Sequence, residues 1–450
     1  MIQPPQPILE VAGFLAEPVI AADFPQTRLR FRNDRAAAEV GLDSLSDDDW
    51  LRHFGRFEPL PGNLPQPLAL RYHGHQFRVY NPDIGDGRGF LFAQLKDQVG
   101  RWLDLATKGS GQTPYSRFGD GRLTLKGGVR EILATEMLQA LGVNTSRTFS
   151  LIETGEQLDR GDEPSPTRSA VMVRMSHGHI RIGSFQRLAY LSQEDDLRQL
   201  ADYSLRTYFG SASGDAVELV RHVVEGTARL AASYMAAGFV HGVLNTDNIN
   251  ITAESFDYGP WRFARSFDPG FTAAYFDHAG LYAFGRQAEA IQWDVVQLAG
   301  ALRTIVDVDA LIVELDRFGP LYRDALVERF LWRLGVERRG GEEDIRLVAA
   351  IEQALIGSGL PLDHFFFDWA GGRLRGDDAP YRHEAFADFR ERVARFSPAR
   401  SLDHAYWEGD PCSMHIEEVE AIWAAIAERD DWSILEAKID EIRKMGEALT

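Results

Sequence analysis

HGVLNTDNINI at residues 241–251, followed closely by FDYG at 256–259, is the stretch that decides how this chain is read. It brings two carboxylates, Asp247 and Asp257, and one amide, Asn248, within ten residues of each other. Oxygen donors of this kind suit a hard divalent cation. Mg²⁺ keeps part of its water shell and takes the rest from one or two side chains and the oxygens of a polyphosphate. Taken singly, Asn and Asp in loops make turns and helix caps. Here they follow a long apolar-periodic segment and a short apolar strand, and they precede an Asp-Tyr-Gly turn. In order and type they match a metal-and-phosphate site.

Protein kinases use the same parts in the same order: a His-Arg-Asp loop ending in a metal-binding Asn, then an Asp-Phe-Gly turn. His241 to Asn248 reproduces the His-to-Asn spacing of that loop. The position where a kinase keeps its catalytic Asp is Val243. A kinase-type cleft is therefore expected, but without the kinase's base.

With 450 residues, the chain has room for two or three domains or one large two-lobed unit. Its content, 44% hydrophobic and 26% charged, is that of an ordinary globular protein. No apolar run approaches the roughly 18 residues of a membrane span. The opening MIQPPQPILEVAGFLAEP has no basic leader and carries Glu10 and Glu17, so the expected location is cytoplasmic. A net charge of −19 and a pI near 5.1 repel nucleic acid and anionic lipid, and neither is expected as a partner. Any phosphate site must then be a local basic island. The single cysteine, Cys412, excludes an intramolecular disulfide and a multi-cysteine zinc cage, and reads as an idle thiol.

Residues 1–65 read as an N-terminal extension packed on the lobes, with SLSDDDW (44–50) as a helix start or solvated turn. Residues 66–190 read as a strand-rich N-lobe: FLFAQL (90–95), RWLDLATK (101–108) and RSAVMVRM (168–175) are strand-like, separated by glycine-rich turns at 85–89, 109–111 and 119–121. Such turns let backbone approach phosphate, although hairpins use the same residues. The apolar spacing predicts a helix over 126–141, stopped by Gly142. Residues 191–450 read as a helical C-lobe. A long helix over 217–237 closes at Gly238, another carries Ile291, Val295, Leu298 and Leu302, and Ser433 with Glu436 suggests a capping box. The fold class is α+β: a protein-kinase-like two-lobed fold with family-specific extensions.

Kinases hold a strand lysine with a helix glutamate so that its ammonium meets phosphate. Lys108 or Lys96 could supply the first, and Glu131 or Glu136 the second. Arg174 and Arg181 offer planar forks for phosphate, with rim salt bridges as the plain alternative. Arg88 stands among glycines compatible with phosphate. His73/His75 and His177/His179 share strand faces in pairs, but two histidines with no third ligand are too few for a transition-metal site.

These residues resemble the selenoprotein O family. KGSGQTPYSRFGDGR (108–122) is nearly that family's signature. GHQF (74–77), GDGRG (85–89), HGVLNTDNINI, DYGP (257–260) and GRQAEAIQWDVVQLAGAL (285–302) resemble its other motifs. The resemblance is specific from about residue 70 to 310 and looser toward both ends.

It implies a kinase-like fold that binds ATP in a flipped orientation and transfers AMP, with Mg²⁺ or Mn²⁺, to hydroxyl side chains of protein substrates. It also implies roles. Lys108, Arg174 and Arg181 hold the phosphates, and Glu131 orients Lys108. Gly85, Gly87, Arg88, Asp120 and Gly121 line the rest of the nucleotide site. Asn248 and Asp257 hold the metal, and Asp247 is the base. A conventional kinase and a non-catalytic ATP-binding scaffold are the competing readings. His73, Arg78 and DYGPWRF depart from the family's usual residues, and the C-terminal KMGEALT has no cysteine or selenocysteine to support redox control.

Overall fold

A computed structural model describes residues 6–161 and 163–450. Two apolar layers enclose a single large antiparallel sheet. Its strands are β1 (Ala16–Pro18), β2 (Arg28–Arg32), β3 (Asn63–Leu70), β6 (Leu91–Lys96), β7 (Trp102–Lys108), β8 (Leu123–Thr124), β9 (Arg147–Leu158) and β10 (Thr167–Ser176). A separate hairpin pairs β4 (Gly74–Gln76) with β5 (Val79–Asn81), and β11 (Phe239–Val240) pairs with β12 (Arg262–Phe263). Across the main sheet the order is β1-β3-β6-β7-β10-β9-β2, with β8 also on β10. Residues ahead of β3 thus supply both edge strands.

Alternation along the strands explains the layers. In β10, Val171, Val173 and Met175 face one cluster with Phe90, Phe92 and Phe149. Ala170 and Met172 face the other, with Ile132, Leu133 and Met137 from the Leu125–Ala140 helix. That helix starts at Thr124, whose side chain accepts from Gly127 N at 3.1 Å. Trp50 anchors the N-terminal segment to the far face. It is fully buried, stacks on Phe149 with ring centroids 4.8 Å apart, and donates Nε1–H to Ser150 Oγ at 2.9 Å.

Beyond residue 181 the chain is mostly helical: the Ala216–Ala237 helix ends at Gly238 in the left-handed conformation, and the Gln287–Leu302 helix buries Ile291, Val295, Leu298 and Leu302. The sheet with one packed helix, followed by helices, is the α+β layout expected from the sequence, strand-rich first and helical second. β11 and β12 pair Phe239 with Phe263 and so frame the 241–261 loop.

The closing Ser433–Leu449 helix returns to the Leu125–Ala140 helix, where Arg443 grips Glu136 through two 2.8 Å bonds. Ser433 is not a cap: it is the helix's first residue and donates its hydroxyl to Asp431 at 2.6 Å, because a nearer acceptor wins. Among the described residues no helix is long and apolar enough to cross a membrane. Cys412 is buried, which pushes its thiol pKa up and leaves it unreactive.

Truncating Trp50 to Ala removes a stacked, hydrogen-bonded anchor. It is expected to cost about 3–5 kcal/mol, read as a lowered denaturation midpoint.

Candidate functional site

Register places the cations. Met172 of β10 lies opposite Lys108 of β7, and Arg174 lies opposite Ala106. Lys108 and Arg174 are therefore diagonal neighbours on one sheet face, within reach of a common partner. The same face looks toward the Leu125–Ala140 helix, from which Glu131 contacts the Lys108 ammonium. The other candidates are engaged elsewhere: Glu136 holds Arg443, and Lys96 lies over the Trp102 ring at 4.7 Å. The third cation, Arg181, immediately precedes the Ile182–Tyr190 helix.

All three cations converge on Asp257. Its Oδ1 takes Arg174 Nη1 at 2.7 Å and lies 3.6 Å from Lys108 Nζ, while its Oδ2 takes Arg181 Nη1 at 2.8 Å. Burial alone would raise the Asp257 pKa, but Arg174, Arg181 and Lys108 outweigh it and hold the carboxyl well below its usual range. Aromatic faces fix the guanidiniums. Arg181 lies 4.4 Å from the Tyr72 ring and 4.7 Å from Phe256, and Arg174 lies 5.3 Å from Phe256. Asp257 itself sits at φ 58°, a strained conformation for a residue with a side chain. His241 braces that turn by bonding the Phe256 carbonyl at 3.0 Å through Nε2, while its backbone N–H donates to Gln287 Oε1 at 3.0 Å.

Asp247 lies beside this cluster in a short 3₁₀ turn. Its Oδ1 is buried against Gly74 with no hydrogen-bond partner, and its Oδ2 takes one 3.3 Å bond from Gln76. Burial raises its pKa to about 6 despite the nearby Arg181. Asn248 donates its amide to the Val243 carbonyl at 2.9 Å.

One cavity of about 780 Å³ takes in most of the sequence candidates. Lys108, Arg174, Arg181, Asp247, Asn248 and Asp257 line its inner part, and Gly85, Gly87, Arg88, Asp120 and Gly121 line its walls. Glu131 stands behind Lys108. The glycines serve packing first: a Cβ at Gly85 would stand 2.5 Å from the Tyr115 ring, and one at Gly121 (φ 71°) would stand 2.2 Å from the Gly111 carbonyl carbon. Asp120 is occupied by Arg160 at 2.8 Å. The histidine pairs go to separate partners: His73 to Tyr80, His75 to Gln186, His177 to backbone carbonyls, and His179 to Asp104.

Sequence reasoning missed Asp86. It takes Arg181 Nη2 at 3.2 Å on one oxygen and Leu70 N–H at 3.0 Å on the other. It is the acidic residue inside the quoted GDGRG motif, so its type was a usable signal. The Thr246–Gln186–His75 chain was also missed. Thr246 Oγ1 donates to Gln186 Oε1 at 2.6 Å and accepts from His75 N at 2.7 Å, pinning the Asp247 turn; no local pattern announces it.

Comparison with known proteins places the chain in a family. The family described as "Protein adenylyltransferase SelO" matches residues 8–376. "Protein nucleotidyltransferase YdiU" from Synechococcus elongatus is 43% identical over 468 residues, covering 96% of this chain and 93% of the relative. The protein of the same name from Gloeobacter violaceus is 44% identical over 447 residues, covering 95% and 92%. ROP2 from Toxoplasma gondii, described as having a protein-kinase fold and no enzymatic activity, overlaps at 13% identity and a TM-score of 0.26, over 54% of this chain and 72% of that one. So weak an overlap bears on neither fold nor site. With its own motifs and nearly full-length relatives, the chain belongs to the protein adenylyltransferase SelO family.

Proposed function

We propose that this protein transfers AMP from ATP to hydroxyl side chains of other proteins, with ATP lying tail-inward in the cleft. The observation that carries this reading is the convergence of Lys108, Arg174 and Arg181 on the inner part of the cavity, beside an Asp247 carboxylate and a base-free Val243. A kinase pose needs a base at Val243's position, and valine takes no proton. With the polyphosphate tail on the three cations, the α-phosphorus comes to lie near Asp247.

The reaction then balances as follows. The acceptor oxygen forms a bond to the α-phosphorus, the bond to the α–β bridging oxygen breaks, and pyrophosphate leaves. Asp247 takes the hydroxyl proton, through the Oδ2 that Gln76 alone engages. General-base help of this kind is worth about 10²–10⁴-fold. Lys108, Arg174 and Arg181 neutralise charge growing on the departing pyrophosphate, about 3–4 kcal/mol for each well-placed donor.

The donor set suits magnesium or manganese. Asp247, Asn248 and Asp257 line one cavity and offer two carboxylates and an amide oxygen. That is the sparse oxygen set of a cation shared with phosphate. Asn248 and Asp257 would hold it, with Arg174 and Arg181 exchanging Asp257 for phosphate oxygens. When bound, it supplies charge neutralisation at the phosphate. The partners this reading requires are ATP and a protein with an accessible hydroxyl.

ATP labelled at the α-phosphate should label protein, whereas label at the γ-phosphate should not. Label from the γ position alone would make the protein a kinase, and ATP binding without label from either would make it a scaffold.

Asp247→Asn separates catalysis from stability. Transfer is expected to fall about 10²–10⁴-fold. An acid whose folded pKa, about 6, exceeds its ordinary 3.8 favours folding below about pH 4, and this contribution is lost as pH rises through 6. The variant should therefore gain roughly 1–3 kcal/mol at pH 8 and nothing near pH 3, measured by denaturation. In the unmodified protein, transfer should decline as pH falls below about 6, where Asp247 takes up its proton.

A further inference from the structure

The mouth of the cavity carries groups that the fold itself does not use. Phe118 stands entirely in water, at 107% relative exposure, yet lines the cavity. It joins no apolar cluster among the described residues. Its neighbour Arg117 sits at φ 51°, a conformation that residues with side chains seldom adopt. Arg117 and Arg88, across the mouth, make no ion pair among the described residues, in an acidic chain where carboxylates are plentiful.

The tip that holds them is not a loose loop end. Gly119 N–H donates to Ser116 O at 2.7 Å, and Thr113 N–H donates to Ser116 Oγ at 2.8 Å. Ser116 Oγ in turn donates to the Gly87 carbonyl, and Thr113 Oγ1 donates to the Asp86 carbonyl at 2.6 Å. The turn is thus bonded to the opposite glycine wall, and strain at Arg117 is tolerated because those bonds over-determine it.

We propose that Phe118, flanked by Arg117, is a stacking platform for the base of the bound nucleotide. This rests on the tail-inward reading: with the phosphates on Lys108, Arg174 and Arg181, the nucleoside must leave toward the mouth. The exposed π-face lining that mouth is Phe118, and a face of this kind stacks on a base. A π-face is common to every base, so the platform adds affinity without selecting one base.

Competition binding in Mg²⁺ buffer, with ATP, UTP and inorganic tripolyphosphate as probes, tests this without any acceptor protein. Phe118→Ala touches no core and is expected to weaken ATP and UTP roughly 5- to 150-fold while leaving tripolyphosphate unchanged. Phe118→Trp should keep or improve nucleotide binding. The platform is refuted if Phe118→Ala binds ATP as the wild type does, if it loses ATP and tripolyphosphate alike, or if the wild type holds tripolyphosphate as tightly as ATP. A wild type that binds neither ATP nor tripolyphosphate overturns this inference and the proposed function together. Nucleotide-selective loss in a protein that transfers no AMP overturns only the proposed function.

Discussion

Asp257 is the point on which the cleft turns. One carboxylate, both oxygens engaged within 2.8 Å, ties Arg174 on a central strand to Arg181 at the start of a helix, with Lys108 behind. The carboxylate belongs to the loop framed by β11 and β12, so the sheet and the helical part meet through charge as well as through apolar packing. Buried ion clusters of this sort are poor devices for stability, since well-packed apolar residues often do as well. What they do offer is a set of charges already desolvated and aimed. On the proposed reading, a phosphate arriving at Arg174 and Arg181 would replace one anion with another, with little reorganisation.

That arrangement also resolves the charge problem. On the proposed reading, a protein with net charge −19 has to attract a polyphosphate against its own surface. Burying three cations together raises the local potential where low dielectric strengthens it, while the surrounding carboxylates keep the site neutral enough to fold. Glu131 and Asp86 complete the balance on the Lys108 and Arg181 sides. Asp247 lies beside this set, and burial raises its pKa although Arg181 pulls the other way.

Much of this was legible in the chain. Type and spacing named Asp247, Asn248 and Asp257, and strand alternation with glycine turns gave the sheet and the helical second part. Periodicity left open the choice between Lys108 and Lys96, or Glu131 and Glu136, because period 2 and period 3.6 give each pair equal standing; only the family resemblance pointed to Lys108 and Glu131. In the structure β7 and β10 pair so that Lys108 and Arg174 share a face, while Lys96 ends on the Trp102 ring. Asp86 lay in plain view in GDGRG, but its bond to Arg181, 95 residues away, is visible only in the fold.

The sequence by itself determined which chemical groups exist, their order, and the absence of a kinase base at Val243, since these are properties of side chains and spacing. Only the tertiary structure decided which groups touch. Contacts such as Arg174 with Asp257, 83 residues apart, or Thr246 with Gln186, 60 apart, arise from strand register and helix docking. Those are fixed by burial of the whole core, and no local stretch of sequence carries them.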